Sequence, residues 1–334
     1  MRRIGKAIGY TALGMGAVGA YVYNGTRPSS TAMPPAPGPE LSGEQWNEKQ
    51  DRDAVARGFA SLDALRQSQP VLYWLHGCPY CARVKALLDF NDVPYSPITV
   101  DPVNFEQLNP MPYKACPQLQ LVSPPGDAPK AHPDYAITMR GPMVADSEVI
   151  IGSVAKAAGV DLAEPRVAAR RTWITRDVAR LVFVTGSSSF SRAYALMPMV
   201  TPEKYHGIVY RAGGAFAMSM LAKHKIAARV AKQYEELGSE VKPEVKEAIG
   251  TGPFTPEVAD RVLRAELKAY AAEAQPFHGG KRPDFVDVEL YGLLRSQEAH
   301  APISDSVSDA GLSEWYTKMG RIVRSSALTD RIGM

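Results

Sequence analysis

The chain is poor in cysteine: three in 334 residues, too few for the disulfide framework of a secreted scaffold. Two of the three stand in one Cys-x-x-Cys, which places the protein in a reducing or mitochondrial-type compartment with its thiols kept for chemistry or inherited from it. There is no second cysteine pair to complete a zinc site, so a metal is not expected. No Lys/Arg cluster with interleaved aromatics appears, and the formal net charge is only +3; both point away from a nucleic-acid partner. Acidic residues are missing from residues 1–39, and no internal repeat is visible. What is present is globular in character, with 45 % hydrophobic and 22 % charged residues.

The acid-free start carries Arg2, Arg3, Lys6 and Arg27, and no charge lies between Ala7 and Tyr23. At 1.5 Å per residue that run makes roughly 25 Å of helix, close to the roughly 30 Å of a bilayer's hydrocarbon core. Gly5/Gly9 and Ala12/Gly16/Ala20 repeat at the small-xxx-small spacing that lets helices pack closely in lipid. The expectation is a single transmembrane helix within residues 1–26, with its basic flank on the matrix or cytosolic side; a cleavable signal or a mitochondrial targeting segment is the rival reading. Residues 27–54 are a linker dominated by Pro, Ser, Ala and Gly from Arg27 to Pro39, followed by the start of a charged, helical approach segment.

The centre of the chain is the stretch from Val71 to Leu88. A five-residue apolar run reaches Gly77, Cys78-Pro79-Tyr80-Cys81 follows, and an apolar helical stripe (Val84, Leu87, Leu88) begins at once. That is strand, turn, dithiol and helix. A cysteine at a helix N-terminus has its thiolate stabilised by unpaired amide N–H groups and the dipole, so the Cys78 pKa is expected to fall, with His76 and Lys85 as further candidates to lower it. Cys81, one turn in, takes the place of a resolving thiol.

Ser96 to Val100 reads as a strand, as does the segment after Cys116-Pro117, with Tyr135 to Arg140 as its hairpin partner across a long polar loop. Asp146-Ser147 caps an apolar helix (Val149, Ile150, Val154) and presents donors suited to an anion. This order is that of a thioredoxin-type α/β domain over 55–162. In such a fold Pro117 would be cis and Cys116 would lie near the dithiol, as a third sulfur or simply as a small apolar side chain. From 163 to 334 the chain is helical, and the stretch Gly186 to Ala212, with its Ser187-Ser188-Ser189 and Met197-Pro198-Met199 turn, reads as an insert. The fold class is α/β plus all-α: a thioredoxin/glutaredoxin-like N-domain, then an all-helical C-domain.

The Cys-Pro-Tyr-Cys segment, the Tyr113-Lys114-Ala115-Cys116-Pro117 turn, Asp146-Ser147-Glu148-Val149-Ile150 and the late Phe277-to-Gly292 stretch with its Asp284/Asp287 cap pair resemble the prostaglandin E synthase 2-like family over roughly residues 55 to 325. That family usually has an aliphatic residue at the position of Cys116 and Phe at that of Tyr80. The resemblance implies that the helical C-domain is of glutathione-transferase type, and it implies a site with Cys78, Tyr80 and Cys81 as its catalytic residues. It also implies glutathione bound by Cys78, Cys116, Pro117, Asp146 and Ser147, haem at the same place, and thiol-dependent transfer or isomerisation. A second reading makes the chain a non-catalytic accessory subunit of a mitochondrial inner-membrane complex of the respiratory chain, motivated by the glycine-rich helix and the basic N-terminus. The expected location is the mitochondrial inner membrane, or else a Golgi/ER membrane facing the cytosol.

Overall fold

A computed structural model of the chain describes residues 41–326, apart from 104, 109–110, 123–129, 132–137, 140 and 325. The expected membrane helix at 1–26 and most of the linker lie outside the described residues. Among those described, no helix is long and apolar enough to cross a membrane. Two compact units form. Of the described residues, one unit contains 41–75 and 93–158; the other joins 76–92 to 159–326. Each is assembled from segments distant in sequence.

The first unit begins with three short helices, each started by a side-chain cap. Ser42 and Gln45 form a reciprocal capping box for α1 (Gly43–Glu48). Asp51 accepts from the Ala54 amide to open α2 (Arg52–Gly58), and Ser61 does the same with Ala64 for α3 (Leu62–Gln67). A four-stranded sheet follows in the order β2-β1-β3-β6: β1 (Val71–Trp74) is parallel to β2 (Ser96–Thr99) and antiparallel to β3 (Gln118–Gln120), which pairs antiparallel with β6 (Met143–Ala145). The partner of β3 is therefore not the Tyr135–Arg140 segment. Of that segment the described β5 (Thr138–Met139) pairs with β4 (Lys130–Ala131) in a separate ribbon. The buried run Met143-Val144-Ala145, directly before the Asp146 cap, takes the place at the sheet.

Strand β6 is an edge, and side chains of α1 and its exit cover it. Asn47 both donates to the Ala145 carbonyl and accepts from the Ala145 amide, each at 2.8 Å, and the Gln50 carbonyl oxygen accepts from the Met143 amide at 2.9 Å. Edge amides and carbonyls that would otherwise recruit another strand are thereby satisfied. Trp46, fully buried, anchors α1 in a cluster with Val100, Leu108, Met111, Met143 and Ala145. Helix α5 (Ser147–Ala157) closes the unit, burying Ile150, Ile151 and Val154.

The second unit is all-helical. It takes in the dithiol helix α4 (Pro79–Phe90) and continues with α6 (Pro165–Trp173) and α7 (Ala179–Ser187), joined through a π-helical turn at Ile174–Val178. Next comes α8 (Phe190–Val200), in the stretch read as an insert with a turn at Met197-Pro198-Met199. Ser189 is a helix cap, accepting from the Arg192 amide at 3.3 Å, and Pro198 sits inside the last turn of α8 instead of making a turn of its own. The remaining helices are α9 (Ile208–Leu221), a second π-helical turn (Ala222–Ile226), α10 (Ala227–Leu237), α11 (Pro243–Ile249), α12 (Pro256–Glu273), α13 (Phe285–Arg295), α14 (Ala301–Asp309) and α15 (Ser313–Ile322).

Helix α13 is buried from Phe285 to Leu294, and it meets α4 through charge as well as apolar contact. Glu289, fully buried, accepts from Nε and a terminal nitrogen of the equally buried Arg83, and its other oxygen accepts from Arg171 Nε at 2.5 Å. Close approach is permitted by Gly292, where an added Cβ would stand 2.6 Å from the Ala82 carbonyl oxygen. At the head of α13 the expected cap pair is present as a reciprocal box of Asp284 and Asp287, and Asp287 also accepts from the Tyr270 hydroxyl, the His278 and Gly279 amides and Trp315 Nε1.

Removing one member of a buried ion group strands the others, which costs about 3–5 kcal/mol. Glu289→Ala is expected to lower unfolding free energy by that order in a urea titration, because two arginines lose their shared acceptor. Arg321→Ala, on the solvent side of α15, should change it by less than about 0.5 kcal/mol.

Candidate functional site

Glycine is required where the chain enters α4. Gly77 has φ +65°, and a Cβ there would overlap Val200. Cys78 is then the N-cap, with Pro79 in the first turn, where a missing N–H costs no helix bond. Tyr80 is 39 % exposed and Cys81 is fully buried. Cys78 keeps part of its surface accessible, and all three cysteines are free thiols.

The electrostatics of Cys78 run opposite to the expectation. The backbone amides of Cys81 and Tyr80 at the helix start favour the thiolate, as the helix-terminus argument requires, although the Cys78 side chain makes no cap hydrogen bond to the helix. They are outweighed by the hydrogen bond to the Cys81 side chain, then by burial, then by charge on Cys81, so the Cys78 pKa is raised well above its ordinary value. Lys85 is bound to Asp89, one turn further along, at 3.0 Å. His76 is on the surface, and partial burial lowers its own pKa, which keeps it neutral near pH 7. A dithiol compresses two acids into one volume, and local helix geometry cannot report that.

The other sequence-selected residues belong to the first unit. The Cys116-Pro117 peptide bond is cis. The turn is held by the Gln118 side-chain amide, which donates to the Tyr113 and Ala115 carbonyls at 3.0 and 2.9 Å. Cys116 is half-buried and packs on the Trp46 cluster, the environment of a small apolar side chain. Asp146 has φ +79° and caps α5, its carboxylate accepting from the Glu148 amide at 2.8 Å; Ser147 is buried. A non-glycine residue at positive φ is strained, and such strain concentrates at functional sites. The structure thus groups Cys78, Tyr80 and Cys81 on one helix terminus, and Cys116, Pro117, Asp146 and Ser147 in the other unit. Among the described residues, no group of three or more His, Cys, Asp or Glu side chains is placed to hold a metal ion.

Sequence reasoning missed the support behind this helix terminus. Arg83 stands just before the apolar positions Val84, Leu87 and Leu88, and Glu289 stands among Val286, Val288, Leu290, Leu293 and Leu294; a charged residue among the apolar positions of a helix is the signal by which such a buried pair can be found.

The glutaredoxin family matches residues 71–110, from strand β1 through the dithiol helix to the loop after β2. Mouse (Mus musculus) prostaglandin E synthase 2 is 23 % identical over 354 aligned positions, covering 95 % of this chain and 88 % of the mouse protein. The chain resembles prostaglandin E synthase 2. The zebrafish (Danio rerio) protein of the same name is 22 % identical over 285 positions, covering 74 % of this chain and 69 % of its own length. Among solved structures, a glutathione transferase family member from Pseudomonas fluorescens, crystallised with two glutathione molecules, aligns over 81 % of this chain and 92 % of its own, with 13 % identity and a TM-score of 0.37. A glutaredoxin-like segment followed by a helical part is the architecture of this prostaglandin E synthase 2-like chain.

Because Cys81 is the largest cause of the raised Cys78 pKa, Cys81→Ala is expected to shift the alkylation rate profile of Cys78 toward lower pH. The sign follows from the terms that remain: the two amides still favour the thiolate, while the thiol hydrogen bond and the Cys81 charge are gone. Iodoacetamide labelling across pH 6 to 10, read by mass spectrometry, checks it; an unshifted profile would contradict the assignment.

Proposed function

We propose that the protein is a membrane-anchored, glutathione-dependent thiol transferase or isomerase of prostaglandin E synthase 2-like type, with Cys78 as the reacting thiol. The observation that supports it is the helix terminus, where a partly accessible sulfur occupies the N-cap position beside a second thiol. In the transferase form, the Cys78 thiolate attacks the glutathione sulfur of a mixed disulfide. The S–S bond breaks, the substrate leaves as thiolate, and Cys78 carries the glutathionyl group. A second glutathione thiolate then attacks that sulfur, releases oxidised glutathione and returns the Cys78 thiolate. Tyr80 stands exposed beside the reacting sulfur as part of the candidate catalytic set.

Cys116, Pro117, Asp146 and Ser147 are the residues the resemblance assigns to holding glutathione. The Asp146 carboxylate, exposed at its strained position, suits the ammonium of the γ-glutamyl group, and the start of α5 suits its carboxylate. Haem rests on the family resemblance alone and has no part in these steps. The anchor is placed in residues 1–26 and the membrane is the mitochondrial inner membrane, on the strength of the basic, acid-free N-terminus.

A second reading is favoured by one observation. The raised pKa keeps Cys78 a thiol at neutral pH, which suits an accessory subunit of a respiratory-chain complex that retains the fold for docking. Transfer of glutathione from a mixed disulfide, followed by coupled reduction, separates the two. Cys78→Ser should fall to the uncatalysed rate while Cys116→Ser stays within about threefold of wild type, as expected for a thiol outside the bond exchange. No turnover in the wild type and no heat of glutathione binding, with migration at several hundred kilodaltons after mild detergent, would assign the protein to a complex instead.

A further inference from the structure

Helix α9 holds one charged residue, Arg211, whose Nε donates to the Tyr194 carbonyl at 2.8 Å and whose guanidinium lies 3.9 Å from the Tyr194 ring centroid. The helix buries Ala215 and Ser219. Elsewhere on it large apolar side chains meet solvent: Ile208 is 78 % exposed, Val209 73 %, Phe216 60 % and Met220 44 %. At 3.6 residues per turn Val209, Phe216 and Met220 fall within about 40° of one another, so they make one stripe. Apolar side chains gathered on one face mark an interaction surface, where scattered ones would not.

Charge selects what covers it. From Lys204 to Tyr234 the chain has no Asp or Glu, but six Lys/Arg and two His. The helix runs on through the π-helical turn into α10, and Lys223, His224 and Arg229, just past the stripe, are exposed. A second copy docked face to face would set this positive region against itself. Residues 1–39 carry four Lys/Arg and no acid, so they are no better matched. An anionic bilayer satisfies both features, taking the apolar side chains below the headgroups and the cations at phosphate level.

We propose that the α9–α10 face docks on an anionic bilayer surface, with Val209, Phe216 and Met220 inserted into the interface. This contact lies in the helical unit and goes beyond the anchor placed in residues 1–26. It orients the protein on the membrane, which a single tether does not.

The test uses full-length Phe216→Trp, an exposed position, compared with wild type in vesicles whose acyl chains are brominated. With about 30 % phosphatidylglycerol in phosphatidylcholine, emission from the added tryptophan should drop by at least about twofold, and in pure phosphatidylcholine it should not. An N-terminal anchor holds the protein on both vesicles, so the difference reports this face. Absence of quenching, or equal quenching in both, overturns the proposal. A mass of two copies in mild detergent that reverts to one in Phe216→Glu/Met220→Glu overturns it in favour of self-association.

Discussion

The buried carboxylate of Glu289 is the constraint on which the helical unit depends. A lone carboxylate without water or partner would be untenable there, and two arginines answer it from α4 and α6. Since Arg83 sits two residues beyond Cys81, the same acceptor fixes the rotation of the helix that begins at Cys78. The second acidic side chain in the unit, Asp287, lies two residues earlier on the opposite side of α13 and gathers amides, a tyrosine and a tryptophan. One helix therefore carries two acidic centres, one bound to cations and one to neutral donors.

That arrangement bears on the thiols. With α4 held along its length by Arg83 and by Asp89, which accepts from the Ser326 amide at 2.8 Å, its first turn has little freedom to separate the two sulfurs. Cys81 remains buried beside Cys78, and its side chain is the largest cause of the raised Cys78 pKa. The chemistry of the dithiol is set as much by this rigid hold as by the helix terminus.

What was legible in the sequence was local. The strand-turn-dithiol-helix order, the proline at 117, the Asp146 cap and the Asp284/Asp287 box are each specified within about five residues, where turn and cap chemistry is decided. What was not legible depends on distant partners. The partner of β3 was expected at Tyr135–Arg140, whereas β6 is only three residues long and runs straight into the Asp146 cap, so its sequence carries no separate strand signal. Helix α8 was hidden because Ser189 and Pro198 are turn formers that here serve a helix start and a last turn. The candidate site divides the same way: its residues were visible by type and spacing, whereas the sign of the Cys78 pKa shift depended on a neighbouring thiol in a buried pair.

The covered edge of the sheet has a mechanical meaning. Any pull on the chain from upstream of Leu41 arrives first at the Leu41 amide bonded to the Pro112 carbonyl at 3.1 Å, and then at α1. The Asn47 and Gln50 bonds to β6 come next, and they would open one after another like a zipper instead of sharing the load. Strand β6 leads directly into Asp146. Tension on the tail is therefore passed to β6, from which it reaches both β3 and the strained residue at the head of α5.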